Sequence, residues 1–201
     1  MIEGTKNIHL AIGGPSGAGK TTLVEGLKRS SVGNRIRTHV AYTTRPRREK
    51  EIHGVHFFFV GNEEFPKYQA NPRYTHFVKA RGNWYWHDSE ELSNLQDQSG
   101  TIHVFTVTQT HEFLEKQKSI PGLKWIWLDA DPDELRQRLM RRGDVDVEKS
   151  IEHNQRLAEQ KRPSLVSLFL VTKTHGISDT VQEVLQFIRT LEQEVNNKSI
   201  L

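Results

Sequence analysis

The sequence predicts an α/β protein: a three-layer α/β/α core around a parallel sheet, with an inserted β-rich subdomain and a short helical lid. Three observations predict it. Short apolar runs alternate with amphipathic stretches, the pattern of repeated strand–helix–strand units. The apolar runs are continuous rather than alternating, as in strands buried on both faces. Between residues 41 and 96 the texture changes to Arg-Pro-Arg-Arg and aromatic runs, which reads as a subdomain set into a single domain whose core is 1–40 and 97–201.

The first strand is Ile8-His9-Leu10-Ala11-Ile12, running into a glycine-rich turn, and Thr22-Leu23-Val24-Glu25-Gly26-Leu27 continues as a helix. Further central strands are expected at Thr101–Val107, Leu123–Leu128 and Leu168–Thr172. In the insertion, Val55–Val60 and Trp84-Tyr85-Trp86 supply β-forming aromatic runs. A helix starts at Asp131, a capping residue followed by Pro132 at the first helical position and Glu134 at capping-box spacing, and Gly143 is its expected stop. Residues 144–161 are polar and charged, which suits a mobile lid (141–161) better than a core element. Ile177, Val181, Val184, Leu185, Ile188, Leu191 and Val195 form the apolar stripe of a last helix.

Composition narrows the function. Lysine plus arginine total 28 against 25 acids, a net +3 with both signs interspersed, so no basic stripe argues for nucleic acid. There are no cysteines, which excludes disulfide frameworks and thiol catalysis. No zinc-binding spacing occurs among the ten histidines. No apolar run approaches the ~20 residues of a membrane helix, and the N-terminus does not read as a signal peptide. A cytoplasmic enzyme, monomeric or homodimeric, with no nucleic-acid or membrane partner, is expected.

Gly14-Pro15-Ser16-Gly17-Ala18-Gly19-Lys20-Thr21 matches G-x-x-x-x-G-K-[ST] in full, between a strand and a helix. Glycines let backbone N–H groups turn onto a polyphosphate, and the helix N-terminus adds partial positive charge. A nucleoside triphosphate, ATP or GTP, with Mg²⁺ is expected on residues 14–22. Lys20 reaches the β- and γ-phosphates, Thr22 continues the site, and Thr21 ligates the metal. Thr43-Thr44-Arg45-Pro46-Arg47-Arg48-Glu49-Lys50-Glu51 then concentrates three arginines in four positions, and arginine is the natural reader of phosphate. A second, phosphate-bearing substrate is expected there.

With these motifs, Gly82-Asn83-Trp84-Tyr85, and Leu135–Gly143 in the same order and near the same spacing, the chain resembles guanylate kinases from about Ile8 to Ile188. The resemblance implies that Arg45, Arg48 and Tyr85 hold the acceptor's phosphate, with Glu51 the acid beside them. It implies that Arg138 and Arg142 serve the ATP side, and that Arg156 closes over the transferring group. Lys20, Arg45, Arg142 and Arg156 are then the catalytic set.

The departures gather at the base. Ala41, His76 and His87 stand where the family reads guanine with a serine, a glutamate and a hydroxyl. Phe57 replaces a phosphate-contacting tyrosine, and Phe105–Thr110 lacks the family's two aspartates. The adenine-side asparagine is not evident at Thr172–Thr174. A site without base-reading groups discriminates poorly. The reading is therefore a kinase for a phosphorylated small molecule other than GMP, another nucleotide or a sugar phosphate, with His76 and His87 binding the acceptor. The alternatives are an ordinary guanylate kinase and a non-catalytic guanylate-kinase-like module that binds phosphoproteins. A switch GTPase is disfavoured because Val171–Gly176 lacks N-K-x-D.

Overall fold

The computed structural model describes residues 6–93, 95, 100–107, 116–144, 146–160, 165–172 and 176–198. The chain divides into two compact units, Met1–Arg37 with Ser99–Leu201, and Thr38–Gln98.

The first unit is built on β1 (Ile8–Gly13), α1 (Lys20–Lys28), β7 (Ile102–Thr106), β8 (Lys124–Asp129), α4 (Pro132–Arg141), α5 (Val147–Gln160), β9 (Leu168–Val171) and α6 (Ile177–Lys198). Its five-stranded sheet runs β2-β7-β1-β8-β9, where β2 is Ile36–His39. β1 lies at the centre, parallel to β7 and β8, and β8 is parallel to β9. The expected burial on both faces is found. Leu10, Ile12, Val104, Ile126 and Leu128 face a core shared with α1, α4, α5 and α6. Phe105, Trp125 and Trp127, on the alternate positions, are also buried.

Helix α1 packs on α6, and a Cβ on Gly26 would stand 2.5 Å from Val181 Cγ2, so the close approach requires glycine there. The stripe on α6 is buried from Val181 to Leu191, whereas Ile177 at its start is exposed. Asp131 caps α4 by accepting from the N–H groups of Asp133 and Glu134. Helix α5 lies in the segment expected as a polar lid, and part of it is buried. Ile151 joins the core, and Ser150 and Asn154 are buried. Val147 and Ile151 seat a helix whose other positions up to Arg156 are polar or charged, and a count of polar residues does not register it.

The second unit holds β3 (Tyr42–Thr43), β4 (Phe58–Phe59), α2 (Phe65–Gln69), β5 (Tyr74–Ala80), β6 (Asn83–Asp88) and α3 (Ser89–Ser93). Its sheet order is β4-β3-β6-β5, with β3–β4 parallel and the other pairs antiparallel. Of the aromatic run at 55–60, Phe58 and Phe59 form the strand that joins the sheet, because a tight turn holds the segment before them. The N–H groups of Val55 and His56 donate to Ile52 O, and that of Gly54 to Phe57 O. Alternation separates two faces. Tyr42, Phe58, Trp84 and Trp86 form one aromatic layer, closed by Phe65 of α2, which stacks on Trp84 at 4.9 Å. Thr43, Phe57, Phe59 and Tyr85 belong to the opposite face.

Candidate active site

The loop from Gly14 to Thr21 leaves the C-terminal end of β1, and Gly14 shows why glycine is needed. Its φ is +134°, and a Cβ would lie 2.1 Å from Leu128 O on β8. Every carbonyl from Gly14 to Gly19 has a donor. Lys20 Nζ donates to Gly14 O (2.7 Å) and Pro15 O (2.9 Å). Asn154 Nδ2 donates to Ser16 O (3.0 Å), Arg138 Nη1 to Gly17 O (3.2 Å), and Thr172 Oγ1 to Ala18 O (3.0 Å). Leu23 N–H donates to Gly19 O as α1 begins (2.8 Å). Buried backbone carbonyls that find partners on surrounding elements fix the loop without a ligand.

Helix α1 has no side-chain cap on Gly19 and no acid in its first turn, unlike α4. An uncapped helix start presents N–H donors and partial positive charge to an anion. Two arginines stand at the loop. Arg138 is held by Glu134 (2.8 Å) and by Thr172 Oγ1 (2.8 Å). Arg142 donates to both oxygens of Asp144 (2.6 and 2.7 Å) and to Ser16 Oγ (3.1 Å).

Arg156 is not brought to this group. It lies about 200° round the helix from Asn154, 70% exposed, with Glu152 at 3.6 Å. The residue α5 presents to the loop is Asn154, whose amide also accepts from Ser16 N–H (2.8 Å). Sequence reasoning missed Asn154 and Thr172; a polar residue two positions before Arg156 on an apolar-anchored helix is the only signal for the first. Positions 108–110 of the aspartate-lacking strand and 173–174 of the adenine-side stretch lie outside the described residues.

The arginine stretch forms a second constellation, within Thr38–Gln98. Thr43 Oγ1 accepts from Arg45 N–H (3.1 Å), and Thr44 Oγ1 accepts from Trp84 N–H (3.0 Å), so the paired threonines lock the turn. Arg45 is 9% exposed. Its guanidinium donates to Pro46 O (2.9 Å) and Glu51 Oε1 (2.7 Å), and lies over the rings of Phe57 and Phe59 at 5.3 and 5.5 Å. Arg48 donates through its N–H to Glu51 Oε2 (2.9 Å) and through Nη1 to Oε1 (3.4 Å). Burial pushes the Glu51 carboxyl up, but hydrogen bonds from Arg45 and the Arg48 backbone, with both cations, outweigh it and hold the group below its ordinary value. Two cations against one anion leave the cluster positive. Tyr85 is buried beside it, its ring edge-on to Phe57 at 5.9 Å.

The positions expected to face the base are on the same unit. Ala41 is buried, His87 is 2% exposed on β6, and His76 takes a φ of +55° where the β5–β6 register shifts between Thr75 and Val78. No three His, Cys, Asp or Glu side chains among the described residues converge to hold a metal ion. What the loop offers a hard cation is the exposed Thr21, which fits Mg²⁺ held mainly by phosphate and water oxygens. No helix among the described residues is long and apolar enough to cross a membrane.

A phosphate-loop sequence at the end of a central parallel strand, buttressed by two arginines, together with a second, arginine-rich cluster, is the arrangement of a P-loop phosphotransferase. The sequence profile of the guanylate kinase family matches residues 6–191. The chain belongs to the guanylate kinase family. It is 29% identical to a guanylate kinase of Mycoplasmopsis pulmonis over 91% of this chain and 94% of that one. It is also 29% identical to one from Buchnera aphidicola subsp. Baizongia pistaciae, over 96% and 92%. A crystal structure of guanylate kinase from Anaplasma phagocytophilum shares the fold, with a TM-score of 0.69 at 19% identity over 94% of this chain and 87% of that one.

These matches overturn the expectation of an acceptor other than GMP. That expectation counts each replaced residue as a lost base contact, on an ungapped match running through a strand whose register shifts. Two of the replacements are histidines, and a neutral imidazole still offers one donor and one acceptor.

Proposed function

We propose that the protein transfers the γ-phosphoryl group of ATP to GMP, giving ADP and GDP. The observation that carries the reading is the family match over residues 6–191 on a chain that keeps the whole phosphate loop and both acceptor arginines. The triphosphate lies on residues 14–22, where Lys20 exchanges its two loop carbonyls for β- and γ-phosphate oxygens. Arg138 serves the donor nucleotide, and Arg142 neutralises charge on the phosphoryl group in transit. Arg45 and Arg48 bind the GMP phosphate with Tyr85, and Glu51 holds both cations in place beforehand. His76 and His87 stand at the base.

The attacking group is an oxygen of the GMP phosphate, already ionised at pH 7, so no general base is needed. The new P–O bond forms as the bond between the γ-phosphorus and the β–γ bridging oxygen breaks, and ADP leaves with that oxygen. Mg²⁺, when bound beside Thr21, neutralises phosphate charge and orients the transferring group.

The test is ADP release from ATP–Mg²⁺ by the purified protein with GMP, dGMP, AMP, CMP and UMP as separate acceptors. Turnover is expected with the guanine nucleotides. Turnover with another monophosphate and none with GMP would overturn the reading.

A further inference from the structure

We propose that Asn154 is a positioning residue for the donor nucleotide, orienting the phosphate loop from helix α5. The proposal rests on the loop's role as the donor site and is independent of which acceptor is used.

Asn154 is 6% exposed, and its side chain pairs with both backbone groups of one loop residue, accepting from Ser16 N–H at 2.8 Å and donating to Ser16 O at 3.0 Å. That double contact fixes two successive peptide planes. In a trans peptide the C=O and the following N–H point in opposite directions. Turning Ser16 O towards α5 therefore turns the N–H of Gly17 away from α5. The neighbouring carbonyls of Gly17 and Ala18 are held by Arg138 and Thr172, so Asn154 completes a row of side chains that sets the loop's plane sequence.

Packing alone does not supply this orientation. Beside the contact lies a cavity of about 90 Å³, lined by Pro15, Trp127, Leu135, Ile151, Asn154 and neighbours. An incompletely filled helix–loop contact resists rotation weakly, and directional hydrogen bonds then decide the geometry. Ser16 is held at a third atom as well, since its Oγ accepts from Arg142.

The experiment measures ADP binding by calorimetry and steady-state kinetics at pH 8 for the wild type, Asn154→Ala and Asn154→Leu. Leucine keeps the branched shape and volume without adding charge beside the phosphates, and makes neither hydrogen bond to Ser16. Both variants should bind ADP about tenfold more weakly and raise KM for ATP by a similar factor, with KM for GMP within about twofold of the wild type. Circular dichroism and urea unfolding check that each is folded. An Asn154→Leu protein that binds ADP like the wild type overturns the proposal, because a volume-filling residue would behave that way. Equal rises in both KM values overturn it too. A wild type that binds ADP without phosphorylating GMP refutes the acceptor reading alone, whereas a wild type that does not bind ADP refutes both.

Discussion

Replacing Thr172 with valine probes how far the loop depends on side chains outside it. Thr172 is 4% exposed. Its hydroxyl accepts from Arg138 Nη1 at 2.8 Å and shares its proton between Ala18 O at 3.0 Å and Asp129 O at 3.1 Å. Valine keeps the shape and removes one bond to a charged donor, worth about 1.5–3 kcal/mol, and one neutral bond, worth about 1 kcal/mol. Arg138 retains Glu134, Gly17 O and Thr172 O, so the lower half of that range applies. A loss of about 3 kcal/mol lowers Tm by roughly 9 °C in a chain of this size. Thermal and urea unfolding of Thr172→Val and Thr172→Ser provide the check. Serine keeps the hydroxyl and should lose only about 1 kcal/mol for the missing methyl group. Indistinguishable melting of the valine variant and the wild type would refute the claim that this hydroxyl secures the loop.

Other outcomes follow from the same geometry. Lys20→Ala should reduce turnover by about a thousandfold or more while circular dichroism shows an intact fold. Phe57→Tyr, which restores a hydroxyl on the ring beneath Arg45, should lower KM for GMP by up to about tenfold and leave KM for ATP unchanged; an unchanged KM for GMP would place that hydroxyl out of reach of the phosphate. Because the Glu51 carboxyl lies below its ordinary value of 4.5, its contribution to stability is complete above that pH and is lost as pH falls through the folded-state value. Glu51→Gln should therefore flatten the acid limb of a pH–stability profile, and an unaltered limb would show that the ion pair contributes nothing.

The loop was fully legible because its chemistry is local: strand, glycines, lysine and helix are contiguous in the chain. The caps of α4 and the stripe of α6 were legible for the same reason, as were the continuous apolar strands, each found within a residue or two of its expected limits. What holds the loop was not. Asn154 and Thr172 lie 138 and 154 residues from their loop partners, and nothing near Thr172 marks it, while Asn154 shows only as a polar residue on an apolar-anchored helix. Arg156 fits the resemblance by residue type, yet helical phase turns it to the exposed side while Asn154 faces the loop. The acceptor was misread because a missing hydrogen-bonding group at Ala41 is visible in sequence, whereas the donor and acceptor capacity of His76 and His87 in a base site depends on register and ring orientation.

The most direct measurement follows the phosphorus itself. With ATP labelled at the γ-phosphate, Mg²⁺ and GMP, the purified protein should place the label in the β-position of GDP, with little in inorganic phosphate. Arg45→Ala should diminish that transfer at low GMP. Label released only as inorganic phosphate, or no dependence on GMP, would contradict the assignment of this chain as a kinase acting on GMP.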